Sequence, residues 1–209
     1  MISFNNKVIT SNNIWLNGKG TPLDPYNPLN LSPGTVRVRT DNAEIPLNGS
    51  FESVTLVTGT TDVYDVYKSG DSFVRILYDS VNVKEILGAN TKGITNMTQA
   101  FYDCHHLANA PLFDTSSVTR MDYMFGNCFN LEIIPLYNTN KVTNMYGTFA
   151  YCYSVKSGAL ALYNQASTQA NPPIEHEWTF KDCGIHTETG LAELNQIPVD
   201  WGGKKYINE

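Results

Sequence analysis

Residues 94–104 read ITNMTQAFYDC, residues 118–128 read VTRMDYMFGNC and residues 142–152 read VTNMYGTFAYC. The strings start 24 residues apart, and the apolar positions move together as Ile94/Val118/Val142, Met97/Met121/Met145, Phe101/Phe125/Phe149 and Cys104/Cys128/Cys152. A fixed period in the twenties marks a chain that stacks one supersecondary unit on the next, a solenoid. Each unit then contacts only its neighbours, and the usual output is a surface for binding, not a catalytic pocket. A fourth Phe-x-x-Cys, Phe180/Cys183, places all four cysteines of the chain at this one repeat position.

Within each copy the hydrophobic period changes partway. Met97, Phe101 and Cys104 fall at i, i+4 and i+7, one face of a short helix, with Thr95, Thr119 and Thr143 placed as N-caps. After the cysteine comes L-x-x-φ-x-L, the strand pattern of a leucine-rich repeat, in Leu107/Ala110/Leu112, Leu131/Ile134/Leu136 and Val155/Gly158/Leu160. Pro111 and Pro135 lie inside this segment and remove a ladder donor, so the strands are expected to be short.

Stepping back one period from the first copy finds Phe73, Leu77, Val83 and Ile86, with Ser80 in place of the cysteine, a degenerate first rung. At the far end the period breaks, since Cys183 lies 31 residues after Cys152. SGALALYNQAST, residues 157–168, reads as a helix ended by Pro172-Pro173, and Leu191, Leu194 and Ile197 read as a last helical turn before the Trp201-Gly202-Gly203 tail. Residues 1–69 differ in kind. Pro22, Pro25, Pro28 and Pro33 space out an Asn-rich loop, TVRVRT at 35–40 alternates as a strand, and 53–58 with 63–67 flank Gly59-Thr60-Thr61 as a hairpin. The expected fold is therefore α/β: a leucine-rich-repeat-like right-handed solenoid of about four coils at 70–160, a β-rich N-terminal cap or attachment region at 1–69, and a helical C-terminal cap at 161–209.

The three strings resemble the BspA-type leucine-rich repeat of bacterial surface proteins, because Val-Thr-x-Met, Phe-x-x-Cys and the strand motif occur together at one period over roughly residues 70–160. That resemblance implies a non-enzymatic module for adhesion to host proteins, cells or other bacteria, with no catalytic residues to carry over. The N-terminus, MISFNNKVITSNNIWLNG, has no apolar signal-peptide core, the first cysteine at 104 rules out a lipoprotein signal, and no stretch approaches a membrane span. Two settings fit this start: a surface protein trimmed of its leader, or a bacteriophage virion component, fibre or capsid-decorating, released by lysis.

Charge and composition narrow the partners. The net charge of −6, with 14 Lys and Arg and no basic run, argues against nucleic acid and against an anionic membrane. Charged residues are only 16 %, and the Asn, Thr, Ser and Tyr that replace them suit a neutral surface meeting a protein, a glycan or other subunits of an assembly. The cysteines read as buried free thiols, since equivalent side chains on neighbouring units run parallel while a disulfide needs a dihedral near 90°. His105-His106 with Asp103, and Glu175-His176-Glu177, lack a metal-ligand spacing, and no nucleophile–base, phosphate-loop or dinucleotide motif is present, so neither metal, cofactor nor enzyme activity is expected.

The binding expectation can be placed on residues. In an L-x-x-φ-x-L strand the intervening positions point outward, which would set Asn109, Pro111 and Phe113 beside Ile133, Pro135 and Tyr137, with Phe113 and Tyr137 as an exposed aromatic pair one repeat apart. Tyr102, Tyr123, Tyr146 and Tyr151 form a second outward set on the other side of the unit.

Overall fold

A computed structural model of the chain describes residues 29–41 and 47–204, together with the backbone of three short strands near the N-terminus. Those strands, β1 (Ile2–Phe4), β2 (Lys7–Ile9) and β3 (Trp15–Leu16), form an antiparallel sheet in that order. The proline-spaced loop read at 22–28 lies outside the described residues. TVRVRT forms β4 (Thr35–Thr40), which buries Val36 and Val38, as its alternation requires. The hairpin forms from β5 (Ser53–Leu56) and β6 (Val63–Tyr67), and β7 (Val83–Ala89) completes an open antiparallel sheet of order β5-β6-β4-β7. A bidentate Arg37–Asp65 ion pair and a single-bonded Arg39–Glu85 ion pair lie across adjacent strands of its more exposed face.

The expected α/β leucine-rich-repeat solenoid is not what the chain forms. Beyond β1–β3, regular structure among the described residues is the open antiparallel sheet, helices α1 (Ala159–Thr168) and α2 (Glu188–Leu194) and a 3-10 turn at Val199–Trp201. Between β7 and α1 there is neither helix nor strand. The segments read as short helices are runs of tight turns, and the segments read as parallel strands contribute only isolated bridges such as Glu85 with Asn109 and Ile133 with Ser157.

Backbone conformation explains the correction. Gln99, Asp103, Tyr123, Asn127 and Tyr151 all have φ between +53° and +64°, which a right-handed helix excludes. With the helix broken at those residues, the N–H groups of 97, 99, 101 and 103 donate to the carbonyls of 120, 122, 124 and 126 at 2.9–3.0 Å. The N–H groups of 121, 123, 125 and 127 repeat the pattern toward 144, 146, 148 and 150. The residues between them close local turns, as in Ala100 to Met97, Tyr102 to Gln99 and Cys104 to Phe101. Every backbone donor from Met97 to Cys104 is thereby satisfied, Thr98 by the side chain of Asn96.

Beneath this backbone lies a column of rings. Phe101, Phe125, Phe149 and Phe180 stack with centroids 5.2, 5.6 and 6.1 Å apart, and Met97, Met121 and Met145 are buried in the same core. β7 joins the sheet to these units: one edge pairs with β4, while the other accepts from Ala108 N at Lys84 O. At the far end α1 takes up the extra residues between Cys152 and Cys183 and is held by α2, whose Glu193 carboxylate accepts from the N–H groups of Gly158 and Leu160 at its N-terminus.

The four cysteines are free and buried. The thiols of Cys104, Cys128 and Cys152 donate to the carbonyls of Leu77, Phe101 and Phe125 at 3.1–3.2 Å, and burial pushes all four thiols up from their ordinary range. In the unfolded chain a thiol loses its proton near about pH 8.5. Below that pH both states hold the proton and this contribution is fully present. Above it only the unfolded chain releases protons, so stability falls by up to about 1.4 kcal/mol per pH unit per thiol.

Three outcomes are expected. Phe125→Ala and Phe113→Ala, both buried, should each cost about 3–5 kcal/mol in urea unfolding, whereas a cost below about 1 kcal/mol would place the ring outside the core. Asp79, at φ +57°, should accept Gly without loss while Asp79→Val loses about 1–2 kcal/mol; equal behaviour of the two would refute the left-handed backbone there. The unfolding midpoint should drop between about pH 8 and about pH 10, and less steeply when all four cysteines are Ser, the residue that already holds this position at Ser80.

Candidate binding surface

The structure separates the residues expected to form the contact surface. Phe113 and Tyr137 are not exposed: they are 1 % and 0 % accessible and stack on each other inside the core with centroids 5.8 Å apart. The Tyr137 hydroxyl donates to the Pro111 carbonyl at 3.1 Å, and burial raises its pKa well above the ordinary value. The inward and outward phases are exchanged after each proline. Tyr137 N donates to Pro135 O, closing a three-residue turn that breaks the alternation of a strand. Leu136, 54 % accessible, therefore faces solvent in place of Tyr137, as Leu112 does in place of Phe113. Burying the larger aromatic surface is the more favourable arrangement. Asn109 and Ile133 are exposed as expected, but without an aromatic pair between them they form no platform.

Three of the four residues in the second expected set come together. Tyr102, Tyr123 and Tyr146 are half-buried and lie in one ribbon with Tyr78 and Trp178. Ring centroids are 5.4 Å apart for Tyr78–Tyr102, 5.7 Å for Tyr102–Tyr123, 5.3 Å for Tyr123–Tyr146 and 5.6 Å for Tyr146–Trp178. Tyr78 with Tyr102 is stacked, while the next two contacts are edge-on, so the ribbon presents edges and hydroxyls as well as faces. Two glycines make room for it. A Cβ at Gly126 would come within 2.9 Å of the Tyr102 ring, and one at Gly147 within 2.5 Å of the Tyr123 ring.

Polar partners fix the rings. Asn127 donates to the Tyr102 hydroxyl at 3.0 Å and to Asp103 at 2.7 Å, and the Arg75 guanidinium lies 5.1 Å from the Tyr78 ring centre while bonding Gln99. Burial, then the hydrogen bond with Tyr146, pushes Tyr123 up to about 12. Burial likewise raises Tyr102, so both of these hydroxyls keep their protons across the physiological range. Tyr151 packs edge-on against Tyr153, which belongs to a further ring column of His105, Phe129, Tyr153 and His186. Tyr78 and Trp178 were missed from sequence, although Tyr78 lies 24 residues before Tyr102 and Trp178 lies 31 after Gly147, the offset of the last two cysteines.

The histidines are occupied locally. His105 faces Asp103 and Phe129, His106 pairs with the Asp41 carboxylate, and His176 lies on the Trp201 ring between Pro173 O and Asp200. Among the described residues no group of three or more His, Cys, Asp or Glu is arranged to hold a metal ion, and no helix is long and apolar enough to cross a membrane. A groove of about 450 Å³, lined by Asp41, Lys84, His106, Ala108, Asn130, Glu132 and Ser154, runs along a different part of the repeats.

A family model described as "Mycoplasma protein of unknown function, DUF285" matches residues 71–180. No curated protein and no solved structure matches the chain. The matched span carries the whole ring column from Phe101 to Phe180 and more than half of the sequence, and the chain belongs to the DUF285 family.

Proposed function

We propose that this is a non-enzymatic binding protein that works at a cell surface, contacting a surface protein through the ribbon of Tyr78, Tyr102, Tyr123, Tyr146 and Trp178. The observation that carries this reading is the ribbon's continuity: five neighbouring rings, four half-buried tyrosines ending in the exposed Trp178 at 45 % accessibility. Tyrosine, tryptophan and arginine are the residues that dominate contact energies, and the two aromatics do so because they bring large rigid area with a polar tip and lose little conformational freedom. The rings here are already positioned by glycines and by Asn127, so binding costs little ordering. The resemblance of the repeat strings to BspA-type surface proteins points the same way.

The test pairs Trp178→Gly with Tyr146→Ala. Trp178 has φ +60°, so glycine removes the ring without straining the backbone. Binding of labelled protein to intact cells should weaken about 30-fold, the equivalent of about 2 kcal/mol, at an unchanged melting temperature. Leu136→Ala, which removes an exposed apolar side chain outside the ribbon, should bind as the parent does. Unchanged binding by the double variant would refute the ribbon, and turnover of any substrate would refute the non-enzymatic reading.

A further inference from the structure

The 450 Å³ groove has a specific origin in the repeat. One column of the structure runs Lys84, Ala108, Glu132 and Lys156, tied by hydrogen bonds from Ala108 N to Lys84 O, Glu132 N to Ala108 O and Lys156 N to Glu132 O. Three of these four side chains are long and charged. Alanine at 108 leaves a gap between Lys84 on β7 and Glu132, which a second column, His106, Asn130 and Ser154, borders from the other side. Asp41, just after β4, joins the lining through its pair with His106. The result is an elongated trench where the sheet meets the repeats.

Its polar groups divide into engaged and unengaged. Asp41 is paired with His106, and Glu132 with Lys156 at 2.9 Å. The side chains of Lys84, Asn130 and Ser154 have no hydrogen-bond or ion-pair partner among the described residues. What the trench offers a ligand is therefore one ammonium, one amide and one hydroxyl, with carboxylates beside them as acceptors. Among the described residues that line it, Ala108 is the one with a purely apolar side chain. A carboxylate answers Lys84, and several hydroxyls answer Asn130, Ser154 and the flanking carboxylates.

We propose that this trench is a binding site for an acidic oligosaccharide, lying along the column with a uronate carboxylate on Lys84 and sugar hydroxyls on Asn130 and Ser154. The site is distinct from the aromatic ribbon and does not depend on it.

The experiment titrates trigalacturonate, with maltotriose as the neutral control, into the full chain by calorimetry and amide chemical-shift mapping. Trigalacturonate should bind, with shifts centred on residues 84, 108, 130 and 132, and maltotriose should bind at least about tenfold more weakly. Lys84→Gln should cost about tenfold in affinity. Ala108→Lys should abolish binding without unfolding, because Lys84 and Lys156 show that the column accepts this side chain. Tyr146→Ala should bind trigalacturonate as the parent does, separating this site from the ribbon. The proposal is overturned if trigalacturonate does not bind at millimolar concentration, if maltotriose binds equally well, if Ala108→Lys leaves affinity unchanged, or if the trench takes an extended acidic peptide in preference to the sugar.

Discussion

The structure depends on one recurring interaction, the backbone hydrogen bond from a residue to the carbonyl 23 positions further on. A helix of the same sequence would satisfy its donors four residues back and leave each unit self-contained. Here the donors point sideways, and a unit is complete only when the next one is present. The column of phenylalanines follows from that link, since a fixed lateral offset brings equivalent side chains over one another at ring-stacking distance. So do the thiol hydrogen bonds, which reach back to carbonyls of the preceding unit.

Much of this was legible in the sequence and some was not. The period of 24 reports which residues neighbour one another, and Met97, Phe101 and Cys104 are buried whichever backbone carries them. Their spacing could not separate a helix from a series of turns, because both turn a similar face inward over a few residues. The distinguishing sign was a column at 79, 103, 127, 151 and 182 that holds Asp, Asp, Asn and Asp at four of its five places, the residues other than glycine that most readily adopt positive φ. The companion column of Arg75, Gln99, Tyr123 and Gly147 carries that sign only at its glycine, so the left-handed backbone there is imposed by packing. The sheet was more readable, since TVRVRT alternates over its full length, whereas β7 was hidden because Val83 and Ile86 also satisfy the repeat pattern.

The candidate surface divides in the same way. Tyr102, Tyr123 and Tyr146 were visible as a set, but they occupy three different positions of the repeat and meet only because Gly126 and Gly147 clear the backbone beneath their rings. Phe113 and Tyr137 do share a position, which made them the more obvious pair. Their direction rested on an alternating strand, which for Tyr137 a turn at Pro135 interrupts, and periodicity carries no information about a local reversal of that kind.

The break at α1 bears on how such a gene can change length. The lateral offset grows from 23 to 30 across this point, as Met145 N donates to Glu175 O, yet the ring column continues unbroken from Phe149 to Phe180. Added residues leave the stack on one side as a helix and return to the same columns. Losing one codon between 94 and 152 would instead shift every later side chain out of its column. Inheritance should therefore tolerate duplication or loss of whole units and drift freely in length at the α1 excursion, while purging small insertions elsewhere in the stacked segment.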